Sequence, residues 1–265
     1  MFDIHNLTLT IRSKTLVNIP NLSVKPAQFT ALIGPNGAGK TTFLNLLAGD
    51  LSPTTGDILL QGKALNDYTI DELALKRSVL PQTEHIPFAI KSRAILLMGV
   101  MPFQVAFNHP AVSKLLDEVC ETLELERLLD AAYQTLSGGE QHRVQIGRVL
   151  MQTLFSPDGK ANLHDRIMLL DEPFNHLDLY HQQQLLRYFK KLTNEGLTII
   201  CVMHDINHAL QIADELVLLK NGALQGAYSA EELWQSNILQ SVFEVEFMTL
   251  SHPDDPTFTT LAFRV

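Results

Sequence analysis

The chain has 265 residues, 46% of them hydrophobic, with 20 basic against 29 acidic side chains and a formal net charge of -9. That is apolar material enough for a sizeable core, and the acidic balance excludes a nucleic-acid surface built on an excess of Lys and Arg. Met1-Phe2-Asp3-Ile4 opens no secretory signal, and the longest uncharged run, Ala94 to Pro110, is broken by prolines and polar residues and lacks the roughly 18 apolar residues of a spanning helix.

In chain order, Thr30-Ala31-Leu32-Ile33 is a short apolar strand pattern that ends at Gly34, and Thr42-Phe43-Leu44-Asn45-Leu46-Leu47 has helical spacing. Between them lies Gly34-Pro35-Asn36-Gly37-Ala38-Gly39-Lys40-Thr41-Thr42. A glycine-rich turn in a strand-loop-helix setting offers backbone N–H groups to phosphates. Gly34, Gly37 and Gly39 supply the unusual dihedrals, Lys40 a point charge, and Thr41 a hydroxyl for Mg²⁺. Gly56 to Gly62 reads as a further strand bounded by turns.

From about residue 83 the pattern changes: Val112, Leu115, Leu116, Val119 and Leu123 follow helical spacing, the mark of an inserted helical lobe. Ile167-Met168-Leu169-Leu170 leads into Asp171 and Glu172, a buried parallel strand whose C-terminal end presents carboxylates. Alone such a pair is ordinarily a solvated turn; beside a phosphate loop, Asp171 is placed to hold Mg²⁺ and Glu172 to polarise the attacking water. Leu197 to Met203 is another apolar strand stopping at His204, which is either a γ-phosphate donor or a core histidine satisfied by backbone. His204 and His208 have the spacing of a zinc pair, but Asp205 stands where Glu would serve and no third ligand presents itself. Cys120 and Cys201 read as buried free thiols.

These residues resemble the nucleotide-binding subunits of ATP-binding cassette transporters over nearly the whole chain. The phosphate loop, Gln82 after Ser78-Val79-Leu80-Pro81, the signature Leu136-Ser137-Gly138-Gly139-Glu140-Gln141, Asp171-Glu172-Pro173, Asn175-His176-Leu177-Asp178 and His204 stand in the family's order. The resemblance implies an α/β fold: a P-loop NTPase core of the ABC ATPase type, one domain over 1–265 with a helical subdomain at 83–150 that includes the signature helix. It implies ATP and Mg²⁺ as cofactors. Glu172, His204 and Gln82 would be catalytic. Gly34, Asn36, Gly37, Gly39, Lys40, Thr41, Thr42, Ser137, Gly138, Gly139, Glu140 and Asp178 would bind nucleotide, and Thr41, Gln82 and Asp171 would hold the metal. It also implies a head-to-tail homodimer in which Ser137, Gly138 and Gly139 close on ATP held by the other copy, with Asp178 at the junction.

Departures are few. Leu7 to Arg12 has no aromatic to stack on adenine, leaving Leu9 or Ile11; His142 stands where Gln is common, and Gly147 where Ala is usual. By resemblance, Pro87 to Phe107 forms the groove for a permease helix, while Phe88 and Phe103 can equally be lobe core. The Ser156-Pro157-Asp158-Gly159-Lys160 loop, Leu177 to Gln182 and the late Ser251-His252-Pro253 look most like haem importer ATPases, although Gly99-Val100-Met101-Pro102 lacks that group's arginine. The implied partners are transmembrane permease subunits and, indirectly, a periplasmic or extracellular substrate-binding protein, with no nucleic acid. The implied location is the cytoplasmic face of the inner (plasma) membrane, peripheral to it. The alternatives are a ferric-siderophore or cobalamin importer ATPase and, from another class, a soluble cassette ATPase acting as an assembly factor.

Overall fold

The computed structural model describes residues 1–82, 86–159, 161–252 and 255–263. The expected first residue of the helical lobe (83), Lys160 and Pro253 lie outside them. The chain divides into two compact units, Met1–Leu65 with Ile200–Val265, and Asn66–Ile199.

The first unit opens with β1 (Phe2–Ile11) and β2 (Lys14–Val24), an antiparallel hairpin. Its two turn residues, Arg12 and Ser13, have φ of 47° and 68°, which matches strand twist in a two-residue connection. Phe2, Ile4, Leu7 and Leu9 are all buried, so the period-two alternation slips by one at Asn6, where φ is 48°. This irregularity keeps both halves of the strand facing the core. Next come β3 (Phe29–Ile33), α1 (Lys40–Ala48), β4 (Thr55–Leu60) and β5 (Lys63–Ala64).

The second unit holds α2 (Ile70–Lys76), β6 (Arg77–Leu80), α3 (Ser92–Met98), α4 (Pro110–Leu123), α5 (Gly138–Leu154), β7 (Ile167–Asp171), α6 (Leu179–Asn194) and the start of β8 (Thr198–Val202). β6 and β7 run parallel, with Leu80 beside Leu170. Every residue of β7 and β8 is buried, which is why neither shows alternation in sequence. The expected helical stripe is real: Val112, Leu115, Leu116, Val119 and Leu123 of α4 are buried, and Cys120 with them.

The chain returns to the first unit through the rest of β8, then α7 (Ile206–Ile212), β9 (Glu215–Lys220), β10 (Ala223–Tyr228), α8 (Ala230–Trp234), α9 (Ile238–Phe243) and the separate hairpin β11 (Phe247–His252) and β12 (Asp255–Phe263). Its main sheet has the order β5-β4-β1-β2-β10-β9-β3. β3 and β9 are parallel, pairing Thr30 with Glu215 and Ile33 with Leu218. Cys120 and Cys201 are both free and buried; burial raises the Cys120 thiol to about 11, with Glu126 and Asp117 adding to the shift, so it stays protonated and unreactive at neutral pH. Among the described residues no helix is long and apolar enough to cross a membrane.

Candidate functional site

The expected ligands fall into two groups, Gly34–Thr42 with His204 in the first unit, and Gln82, Ser137–Glu140, Asp171, Glu172 and Asp178 in the second.

In the first unit β3 delivers the chain to a loop that only glycine can complete. Gly34 has φ 154°, and a Cβ there would lie 2.1 Å from the Leu219 carbonyl oxygen on β9. Gly39 has φ 96°, and its Cβ would press on the Leu16 carbonyl at 2.8 Å. Gly39 is the N-cap of α1 and makes no side-chain capping bond, so the first N–H groups of that helix are given no side-chain oxygen by their own cap. Such a terminus is an anion site by construction. Asn36 and Gly37 form the exposed tip, Lys40 is 6% exposed, and Thr41 and Thr42 are half-buried on the first turn. The Lys40 ammonium donates to the carbonyls of Gly34 at 2.7 Å and Pro35 at 3.1 Å, which holds the cation inside the loop. His204 is exposed just past β8. Met203 N–H still donates to Leu32 at 3.1 Å, and Asp205 caps α7 by accepting from His208 N–H at 3.0 Å. Of the two residues open for an adenine contact, Leu9 is 6% exposed and Ile11 48%; only Ile11 has side-chain surface to give.

In the second unit Asp171 ends β7 at 1% exposure and Glu172 follows at 9%. Glu172 has φ 54° and His176 φ 63°, uncommon values for residues with a Cβ. The turn is fastened by Asn175, whose amide donates to the Glu172 carboxylate and whose N–H donates to the Glu172 carbonyl at 3.2 Å. Gln82 is exposed after β6.

The signature turn starts α5 with a reciprocal cap. Ser137 Oγ accepts from Glu140 N–H at 3.4 Å, and the Glu140 carboxylate accepts from Ser137 N–H at 2.8 Å and Ser137 Oγ–H at 2.7 Å. The Ser137 hydroxyl and then its N–H hold the Glu140 carboxyl below its ordinary value. The Glu140 carboxylate thus sets the hydroxyl of Ser137, while Ser137 and Gly138 are exposed. Asp178 caps α6, accepting from His181 N–H at 2.9 Å and from His181 Nδ1–H at 2.8 Å.

Three contributors have no role in the sequence reading. Asn175 braces Glu172; in the sequence it stands only as the first residue of the Asn175-His176-Leu177-Asp178 segment, with no role of its own. His142 donates from Nε2 to the Pro173 carbonyl at 2.8 Å, tying α5 to the residue that follows Glu172. Burial is the main cause holding its imidazole below the usual histidine value, which keeps it neutral with the proton on Nε2. His181 is foreshadowed by the Asp-x-x-His spacing of a helix start. Phe103 packs edge-to-face on Phe155, 4.9 Å between centroids, under the Arg166 guanidinium at 5.0 Å, whereas Phe88 is 58% exposed.

The family profile described as ABC transporter matches residues 17–175. The chain belongs to the ABC transporter family. Among curated ABC relatives, the hemin import ATP-binding protein HmuV of Methylobacillus flagellatus is 34% identical over 258 residues, covering 97% of this chain and 94% of its own. The protein of the same name from Hydrogenovibrio crunogenus is 37% identical over 234 residues, 88% of this chain and 89% of its own. Among solved structures, the dimeric bacterial ABC transporter cassette MJ0796 superposes with a TM-score of 0.74 at 28% identity, covering 87% of this chain and 99% of that one. The fold expected from sequence, an ABC-type α/β ATPase core carrying a helical part, is the fold observed.

Proposed function

We propose that this chain is the ATP-hydrolysing subunit of an ABC importer that energises haem uptake through a membrane permease. The geometry that supports nucleotide binding is the glycine N-cap of α1, which leaves helix N–H groups to an anion with Lys40 held beside them. Haem as cargo is supported by relatives named for hemin import that match nearly the whole chain. This subunit energises transport and does not bind haem.

Asp171, Thr41 and Gln82 are all oxygen donors, the chemistry Mg²⁺ prefers, and a buried carboxylate at a strand end suits it. Bound there, Mg²⁺ would neutralise phosphate charge. Glu172, fixed by its turn and by Asn175, orients and deprotonates the attacking water, and His204 donates to the γ-phosphate. Gly34, Asn36, Gly37, Gly39, Lys40, Thr41 and Thr42 hold the phosphates from one copy. Ser137, Gly138 and Gly139, with Glu140 setting the serine, close on them from a second copy, and Asp178 links the two sites. ATP therefore joins two copies, and its hydrolysis releases them. The apolar side chains exposed in the second unit, Phe88, Met101 and Phe107, form the surface for the permease, which holds the chain at the cytoplasmic face of the membrane.

The test is recovery of the tagged chain from membranes with its permease, followed by ATPase assay with loaded binding proteins. Stimulation by haem, and not by ferric siderophore or cobalamin, supports the reading. Stimulation by another cargo discards haem, and recovery without a membrane partner moves the chain to the soluble ATPases.

A further inference from the structure

His181 sits between two carboxylates that come from different elements. On one side Nδ1–H donates to Asp178 Oδ1 at 2.8 Å. On the other, Nε2 lies 3.8 Å from Glu124 Oε2, at the left-handed cap that ends α4. That nitrogen is buried and has no hydrogen-bond partner, although the side chain as a whole is 20% exposed. The void beside it, of about 10 Å³ and lined by Arg143, Leu177, Gln184 and Tyr188, is at the lower bound for a single water.

The Asp178 bond fixes the tautomer. With the proton on Nδ1, a neutral ring turns a buried lone pair toward Glu124, an acceptor facing an anion. A protonated ring turns an N–H toward it and forms an ion pair with each carboxylate. The groups facing the ring are Asp178, Tyr180 and Tyr188 of its own helix and cap, Glu124 of α4, and Arg143 of α5. Glu124 is itself anchored: Tyr180 Oη–H donates to its Oε1 at 3.1 Å, and Arg143 donates to the carbonyls of Leu123 at 2.8 Å and Glu124 at 3.4 Å. Arg143 lies on the signature helix.

We propose that His181 is a positioning residue for Asp178: in its protonated form it clamps Asp178 to Glu124 and so joins the segment Asn175–Asp178 to the signature helix through Arg143. The cap on α6 needs only the His181 backbone N–H; the imidazole adds a tie whose strength depends on its charge. The proposal rests on the reading of Asp178 as part of the nucleotide site. Its consequence is kinetic. A clamped Asp178 favours turnover, while ATP affinity, which rests on the phosphate loop, is unaffected.

The experiment measures kcat and KM for Mg-ATP with the full-length chain and three variants across the neutral range, from about pH 6 to about pH 8.5. Glu124→Ala should lower kcat roughly tenfold at the acidic end, a loss typical of a displaced positioning group, and by progressively less as pH rises, with KM within about twofold. His181→Gln should show the same convergence with wild type at high pH. Tyr180→Phe, which frees Glu124 Oε1 from its anchor, should lower kcat at the acidic end in the same sense as Glu124→Ala and by less. A ratio of wild-type to Glu124→Ala kcat that is flat with pH, or unity throughout, overturns the proposal. Lys40→Ala is assayed alongside for equilibrium ATP binding. Lost binding there together with a flat ratio removes only the clamp, whereas retained binding removes the nucleotide-site reading beneath it.

Discussion

Lys40 and Glu172 carry the sharpest consequences of single residues. Lys40 is the buried cation of the loop proposed to hold phosphate, and Lys40→Ala should weaken ATP binding by at least tenfold in equilibrium titration, since a charge-assisted contact to phosphate is worth about 1.5–3 kcal/mol. Glu172→Gln keeps the shape of the turn and an oxygen for the Asn175 amide but removes the carboxylate proposed as the base. It should bind ATP normally, hydrolyse it at least a hundredfold more slowly in single-turnover assay, and accumulate as an ATP-bound dimer on size exclusion. Glu215, far from this chemistry in sequence, reports on stability. Its Oε2 is buried without a hydrogen bond, and burial, aided by Glu232 and opposed by Lys25, raises its carboxyl above the ordinary value. A raised folded-state value means the folded chain holds the proton longer, so this contribution to stability is present below the unfolded value and lost as pH rises through the folded one. Glu215→Gln should therefore raise the urea midpoint relative to wild type more at about pH 8 than at about pH 5.

At the scale of elements, packing explains the residues that look anomalous in a linear reading. Gly147 in α5 is unfavourable by helix propensity alone, by about 1 kcal/mol against Ala. Yet a Cβ there would lie 2.5 Å from Leu96 Cδ2 of α3 and 3.2 Å from Leu125 Cδ1. Gly99, just past α3, is tighter still, its Cβ falling 2.3 Å from the Arg148 carbonyl oxygen. Side chains can give way where backbone cannot. Gly147→Ala should therefore lower stability by about 1–2 kcal/mol after its propensity gain, and Gly99→Ala by more, an order that urea midpoints of the two variants will check. His142 belongs to the same argument. In place of the usual Gln it reaches from α5 to Pro173, and with Arg143 it fastens the signature helix on two sides.

For the molecule as a whole, the proposed function rests on contacts with other chains. Phe88, Met101 and Phe107 are 58%, 58% and 50% exposed, and these solvent-facing apolar side chains are the surface proposed for the permease. Replacing Phe88 and Met101 by Asp should reduce recovery of the chain with membranes at least tenfold by immunoblot, with the melting temperature unchanged because neither side chain is core.

The sequence determined the parts whose physics is local. A strand, a glycine turn and a helix start follow from dihedral preference and apolar spacing within a dozen residues, and so the phosphate loop, the acidic strand end of β7, the serine cap of α5 and the apolar stripe of α4 were legible. The placement of Phe88 and Phe103, the exposure of Ile11 against the burial of Leu9, the reason for Gly147, and the contacts of His142, Asn175 and His181 were not. Most of these depend on which distant residue arrives alongside. His142 meets Pro173 across 31 positions and Tyr180 meets Glu124 across 56, and a single sequence records no such pairing. Tertiary structure alone decided them, because a hydrogen bond between distant elements depends on their mutual packing, and that packing is set by the whole core rather than by the residues that make the bond.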